Sequence, residues 1–394
     1  MKVLIVSTTE RVGGGAIAAK RLLTALLAAG VSARMLVRDK QTDDVNVATC
    51  GGLLPKIMER LRLMFVLRKP MAKTWNYDLA QDGVDIISTP EYQEADIIHL
   101  HWVCQGMLSL KQLQQMVLSG KRIVWTMHDE WPFRGIAHYT DPSSPTGHAA
   151  EQMLEEKTRQ RKFDIYRQGK IHFVGCSRWI TDLARTAMPW AEVSHICNCI
   201  PQGIFRPQER QEAREYFSLP RMSPLILFSC QKVTDPRKGM DYLLQAIRLL
   251  PSPKPHLVVV GAGTSELFSA MQDLPQDNIH LIPYVEGERD MARLYSAVDC
   301  FVTPSLQDNL PNTIAEAMSC GTPCVGFFSG GIPEMISHGM NGYVAERGNS
   351  QDLAQGITAV LQHPEWREQA LHCARLTYSE SHIAREYCKI YGIY

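Results

Sequence analysis

The chain has 394 residues, 45% of them hydrophobic and 21% charged, which is too long for one ordinary core and points to two domains. Its 41 Lys and Arg balance 41 Asp and Glu, so overall charge predicts neither a nucleic-acid nor a membrane partner. The 11 cysteines are scattered without a Cys-x-x-Cys, which argues against a disulfide framework or metal knuckle and for a reducing cytoplasm.

From the N-terminus, Val3–Val6 reads as a buried strand, its apolar run being too short for a secretory signal. Strand-like runs follow at Ala33–Val37, Ile97–Leu100, Ile123–Met127 and His172–Cys176. A second series occupies Leu225–Ser229, His256–Val260, Ile279–Ile282, Cys300–Thr303 and Cys324–Phe328. Between them, Ala16–Ala29, Met240–Leu250 and Met291–Ala297 carry apolar residues at helical spacing. Continuous apolar strands alternating with helices specify parallel sheets covered on both faces. The pattern restarts after the proline-punctuated stretch Ile200–Pro224, read as a linker. The expected fold is α/β, with two tandem Rossmann-like doubly wound domains, residues 1–205 and 206–377. A ligand then belongs at the carboxyl ends of the strands, in a cleft between the halves. No apolar stretch reaches the roughly 20 residues that span a bilayer.

Candidate motifs fall at strand ends. Gly13, Gly14 and Gly15 precede the first helix, where backbone without a Cβ can approach a phosphate or sugar. Gly13, Gly15 and Ala18 also satisfy G-x-G-x-x-A, with Asp39 closing the second strand. Ser7 to Val12 intervene before the first glycine, which weakens a nicotinamide-cofactor reading. His128 in WTMHDEWPFRG can bond a sugar hydroxyl or phosphate, although a histidine after a strand more often serves structure. His99 and His101 have no third ligand at zinc spacing and read as lining or core residues. Lys232 and Lys238 flank a proline-containing turn and can bring two ammonium groups to one diphosphate.

The most informative stretch is TPSLQDNLPNTIAEAMSCGTP, residues 303–323. Asp308 lies in a loop after a strand, and Glu316 falls on a short helix opened by Pro311 and closed by Gly321. A helix start suits a phosphate, and a carboxylate one turn inside can accept both hydroxyls of a ribose. The plainer alternative is a strand–loop–helix unit whose Glu316 faces water.

Together these motifs resemble the GT-B retaining glycosyltransferases of family 4, the glycosyl transferases group 1. Asp308-x7-Glu316 stands where that family has E-x7-E, and Lys232/Lys238 where it has R-x5-K. Asn198 matches its N-G-I-D turn, Gly330–Glu334 its G-G-x-x-E element, and Asn341-Gly342 the turn that follows. The resemblance covers nearly the whole chain, and WTMHDEWPFRG is similar to exopolysaccharide, colanic-acid-type members.

The resemblance implies transfer of a hexosyl group from a UDP- or GDP-sugar, with retention, to a glycan or lipid-linked acceptor in surface polysaccharide biosynthesis. It implies no metal and no other cofactor. Glu316 is expected to hold the ribose. Lys232, Lys238 and the backbone of Asn309, Leu310 and Pro311 are expected to hold diphosphate and donor sugar. His128 and Asp308 are expected at the reacting centre, with Gly13–Gly15 closing over the phosphate. Residues 378–394 are expected to return to the first domain as a helix. A non-hydrolysing nucleotide-sugar epimerase of the same fold, or a non-catalytic sugar-nucleotide-binding subunit, is the alternative.

The chain departs from the family pattern at several points. Asp308 is one methylene shorter than Glu, Lys232 lacks the fork of Arg, and Cys199 and Pro201 replace Gly and Asp of the turn. After WPFRG, Ala137-His138-Tyr139 leads into DPSSPTGHAAEQ where relatives carry a cysteine-rich insertion, so no zinc is expected there. Leu53–Lys73 carries six basic residues and one acidic, with a Met/Leu/Phe-rich face. It fits a peripheral contact with an anionic membrane or lipid-linked acceptor, or a helix packed with its basic side in water, the latter being preferred. The expected location is cytoplasmic, with peripheral attachment at the inner membrane face as the variant.

Overall fold

Two parallel sheets account for all thirteen strands among the described residues, 1–139 and 149–393 of the computed structural model. The chain divides into Met1–Cys197 with Ile383–Tyr394, and Asn198–His382. The sequence pattern had put these divisions at 205/206 and 377/378.

The first sheet contains β1 (Lys2–Thr9), β2 (Ser32–Asp39), β3 (Val47–Thr49), β4 (Ile97–Leu100), β5 (Arg122–Met127), β6 (Ile171–Gly175) and β7 (Glu192–His195), ordered β3-β2-β1-β4-β5-β6-β7. The second contains β8 (Leu225–Lys232), β9 (His256–Ala262), β10 (Ile279–Ile282), β11 (Cys300–Thr303), β12 (Cys324–Phe327) and β13 (Gly342–Ala345), ordered β10-β9-β8-β11-β12-β13. Every pairing within them is parallel. These are the two doubly wound α/β units that the alternating pattern specifies. Central strands are buried on both sides, as in Ile5, Val6 and Ile98 of the first unit and Leu227, Val259 and Val302 of the second. Each sheet reverses its winding beside its first strand, between β1 and β4 and between β8 and β11. Connections leave in opposite directions there, which opens a crevice at the carboxyl ends.

Three strands have no counterpart in the sequence reading: β3, β7 and β13. All are edge strands with partly exposed residues, so they lack the continuous apolar run of a central strand. Ile200–Pro224 is also more than a linker. It contains the helix Arg210–Tyr216, whose buried Arg214 donates to Ala297 O at 2.8 Å and Asp299 Oδ2 at 2.8 Å, fastening it to the second unit.

The last helix, Glu380–Tyr391, supplies Tyr387 and Tyr391 to the first unit. Tyr391 Oη lies 2.6 Å from His99 Nδ1, and Tyr387 Oη lies 2.7 Å from Thr126 Oγ1, which lies 2.8 Å from His99 Nε2.

The helix Leu54–Leu67 is turned the opposite way from the preferred expectation. It buries Glu59, Arg60, Leu63 and Leu67, and leaves Leu54, Ile57, Leu61 and Phe65 exposed, Phe65 by 86%. Polar anchoring explains the inversion. Glu59 accepts the backbone N–H groups of Leu79 at 2.5 Å and Ala80 at 3.2 Å, and Arg60 Nη1 donates to Thr74 O at 2.7 Å. Hydrogen-bonded Glu59 and Arg60 face inward beside Leu63 and Leu67, so the apolar stripe Leu54, Ile57, Leu61 and Phe65 faces out.

Candidate active site

In the second unit, three loops meet at the carboxyl ends of β8, β11 and β12, on the crevice where the winding reverses. Lys238 follows β8 on the turn Pro236–Lys238, and its Nζ lies 2.6 Å from Asp308 Oδ2 in the loop after β11. Backbone contacts hold this juxtaposition: Leu306 N donates to Arg237 O at 2.8 Å, and Ser329 Oγ to Leu306 O at 2.7 Å. Gly331 N donates to Asp308 O at 3.2 Å. Gly330 has φ +56°, and a Cβ there would lie 1.8 Å from Asp308 O, so only glycine permits the approach. Burial works against the charge on Lys238, and the Asp308 carboxylate more than offsets it, leaving the ammonium above the usual lysine range.

The helix Asn312–Ser319 begins beside this pair, with Pro311 as its cap residue and no side-chain capping bond. Asn309, Leu310 and Pro311 are buried ahead of it, and Asn198 Nδ2 donates to Asn312 Oδ1 at 2.9 Å. Glu316, one turn in, is buried, which excludes the water-facing alternative; Tyr295 Oη donates to its Oε2 at 3.0 Å. Tyr295 is a partner of Glu316 that the sequence reading missed, because nothing in the helical spacing of Gly287–Ala297 distinguishes it from a core aromatic.

The two lysines part company. Lys238 is committed to Asp308, whereas Lys232 ends β8 exposed and makes no ion pair among the described residues. Arg237 turns to Asp235, at 2.7 Å.

In the first unit, Gly13 (φ +91°) caps the helix Gly14–Ala28 without a side-chain bond. A Cβ on Gly15 would come within 3.1 Å of the His128 ring, so glycine lets this loop lie against His128. His128 Nε2 lies 2.9 Å from His101 Nδ1. Burial pushes His128 down to about 4, partly countered by neighbouring Asp129, so the ring is neutral at neutral pH and serves as a hydrogen-bonding group. The glycine loop, His101 and His128 therefore line the carboxyl ends of β1, β4 and β5.

The spacing argument against a dinucleotide weakens here, since β1 runs to Thr9 and the intervening residues are Glu10–Val12. Asp39 supplies the stronger objection. Its carboxylate is held by Arg38 at 2.7 Å, where a nicotinamide fold would offer it to a ribose.

Residues 223–363 match the family model described as Glycosyl transferases group 1. The matched stretch contains the Lys238–Asp308 pair and Glu316. The chain is 22% identical over 322 residues to N-acetyl-alpha-D-glucosaminyl L-malate synthase of Bacillus anthracis, covering 80% of this chain and 79% of that protein. In fold it is similar to sucrose-phosphate synthase of Thermosynechococcus elongatus, with TM-score 0.73 and 19% identity over 100% of this chain and 98% of that one. It is also similar to Anabaena HepE in complex with UDP-glucose, with TM-score 0.68 and 15% identity over 100% and 99%. These likenesses in fold extend over the whole chain, and the family match over its second half.

The buried histidines carry a prediction. Burial, with His128 and His172 nearby, pushes His99 down to about 3. The folded ring stays neutral while the unfolded ring takes a proton below about 6.5, so stability is complete above that pH and lost as pH falls toward 3. Between pH 7 and 5 His99 alone should remove about 2 kcal/mol. Urea titrations at the two pH values should show a smaller loss in His99→Gln; equal losses would refute the assignment.

Proposed function

We propose that this chain is a retaining glycosyltransferase that moves a hexosyl group from a UDP- or GDP-sugar to a glycan or lipid-linked acceptor in surface polysaccharide biosynthesis. The observation that carries the reading is the Lys238–Asp308 pair at the winding reversal, beside the uncapped start of the helix that bears buried Glu316. A diphosphate entering there meets a lysine ammonium and a helix start, the two features that stabilise charge on a leaving phosphate. Glu316 is suited to the ribose diol, and Lys232, exposed at the end of β8, is free to swing to the outer phosphate. Asn309, Leu310 and Pro311 contribute backbone to the same phosphate and sugar.

In this reading, Asp308 exchanges Lys238 for a donor-sugar hydroxyl as the phosphate arrives, while neutral His128 and the backbone of Gly13–Gly15 are suited to bonding a sugar and a phosphate. Positive charge comes from side chains and backbone, so the transfer needs no metal or other cofactor. The acceptor attacks on the leaving-group face, and a phosphate oxygen takes its proton. An epimerase would require an acid/base pair at the sugar, and a His128 held down to about 4 by burial is a weak base for one half of it.

Thermal-shift screening of UDP- and GDP-sugars, followed by nucleotide-release assays with and without acceptor, tests the proposal. Acceptor-dependent release is expected; isomerisation without acceptor would indicate the epimerase, and binding without turnover a non-catalytic subunit.

A lipid-linked acceptor is favoured by the outward stripe of the helix Leu54–Leu67. Leu54, Ile57, Leu61 and Phe65 share one face, with Lys56 and Arg68 near its ends, an arrangement suited to peripheral contact at the inner membrane face of a cytoplasmic enzyme. Among the described residues no helix is long and apolar enough to cross a membrane. Burying a Leu or Phe contributes about 1.5–3 kcal/mol, so Leu61→Ser with Phe65→Ser should weaken sedimentation with phosphatidylglycerol vesicles more than tenfold. Unchanged sedimentation would sink the membrane contact.

A further inference from the structure

Three buried side chains that the donor chemistry does not use converge inside the first unit. Asp78, Cys104 and His138 are each at most 3% exposed, and one ligand atom of each lies within 4.8 Å of the others. They come from segments far apart in sequence: Asp78 precedes the helix Pro90–Glu94, Cys104 follows β4, and His138 follows the WPFRG segment.

His138 is the informative member. Its Nδ1 lies 2.7 Å from Asp129 Oδ2, which makes Nδ1 the protonated nitrogen and leaves a lone pair on Nε2. Asp129 is itself fixed, accepting from Trp102 Nε1 at 2.9 Å and Trp131 N at 3.0 Å. Yet His138 Nε2 is buried without a hydrogen-bond partner. An unpaired buried acceptor of this kind costs about 1–3 kcal/mol. Asp78 is oriented just as firmly, its Oδ1 accepting from Ala80 N at 2.9 Å and its Oδ2 from Gln105 N. An imidazole, a carboxylate and a sulfur therefore gather in one buried place, all able to ligate a metal ion.

We propose that Asp78, Cys104 and His138 bind a divalent metal ion, zinc by the chemistry of the donor set, with Asp129 orienting His138 from behind. Thiolate, imidazole and carboxylate together select zinc over the oxygen-loving cations. A carboxylate behind a ligating histidine is the recurrent outer-shell partner, fixing the tautomer and raising basicity. Bonds of about 2.0–2.3 Å put neighbouring donors roughly 3.5 Å apart, so the cluster closes by about an ångström on binding.

Binding is a proton-for-metal exchange without redox change: the Cys104 S–H bond breaks, a Cys104 S–metal bond forms, and the proton passes to solvent. Burial holds the thiol well above its ordinary range, and a coordinated dication reverses that preference. Charge also closes. Asp78, Asp129 and the thiolate carry three negative charges, matched by the dication and by the buried Arg60 nearby.

The ion ties three segments beneath the loop that carries His128. This role is structural and leaves the proposed transfer metal-independent. Sequence spacing gives no sign of it, because the ligands form no local motif; residues 140–148, where the missing cysteine-rich insertion would lie, are outside the described residues.

The full chain, dialysed against zinc chloride and then against metal-free buffer, should retain about one zinc per chain by elemental analysis. Cobalt loading should give a thiolate-to-cobalt absorption band. Cys104→Ser should abolish that band, His138→Gln should abolish zinc retention, and Asp129→Asn should weaken affinity about 10–100-fold. Cys197→Ser is the control, since its sulfur lies 3.6 Å from His195 Nε2 and offers the alternative thiolate. Absence of both zinc and the cobalt band from the wild-type chain overturns the proposal, with no variant needed. So does a band that persists in Cys104→Ser or disappears only in Cys197→Ser.

Discussion

Lys238→Ala is expected to lower kcat/KM for the nucleotide-sugar donor by about 10²–10³-fold, the loss typical of removing one group that stabilises charge in the transition state. The side chain is 30% exposed and serves no core packing, so the melting temperature should move by only a few degrees. Its partner gives the sharper test. Lys238 and Asp308 are 2.6 Å apart, and an incoming diphosphate competes with Asp308 for the ammonium. Asp308→Asn releases that ammonium, so it should tighten binding of free UDP or GDP while lowering kcat, because the sugar loses its carboxylate. Glu316→Gln should do the reverse and weaken nucleotide binding by roughly tenfold or more, the worth of a hydrogen bond to a charged group. Steady-state kinetics with nucleotide inhibition constants separates the three patterns. If Asp308→Asn weakens nucleotide binding and Lys238→Ala leaves kcat intact, the pair is a structural ion pair and the donor site lies elsewhere.

The central strands were legible because burial on both faces writes an uninterrupted apolar run, as in Leu225–Ser229 or Cys300–Thr303. Edge strands β3, β7 and β13 were not, since a half-exposed strand of three or four residues leaves no such mark. Asp308 and Glu316 were legible from their spacing around Pro311. Their partners were not: the Lys238–Asp308 contact spans 70 residues and depends on the β8–β11 adjacency, which only the winding order creates. The helix Leu54–Leu67 shows the limit most plainly. Amphipathicity locates an apolar face but not its destination, and here the bonds of Glu59 and Arg60 decide it. The pairing of Asp39 with Arg38 is similar, since G-x-G-x-x-A and a strand-ending acid satisfy a motif whose acid is already engaged.

Gly330→Ala should cost activity out of proportion to stability. Two effects combine at this position. A left-handed φ of +56° costs an alanine about 1–2 kcal/mol, and the added Cβ would sit 1.8 Å from Asp308 O, a distance no real contact tolerates. The loop must therefore move, and Asp308 O is also where Gly331 N donates at 3.2 Å. Displacing it by about an ångström carries Asp308 away from Lys238 and shifts the backbone of Asn309 and Leu310, and misplacement on that scale can cost on the order of 10²-fold in turnover. Gly339→Ala isolates the strain. Gly339 has φ +75° with nothing within 4 Å of the added Cβ, so it pays the same conformational cost without the clash. Both variants should lose a few degrees of melting temperature, yet only Gly330→Ala should lose turnover, and adding a Cβ at Gly330 should also weaken donor binding in the thermal-shift assay. Equal activity in the two variants would mean that the position of Asp308 does not matter to the reaction, and the site built around it would have to be abandoned.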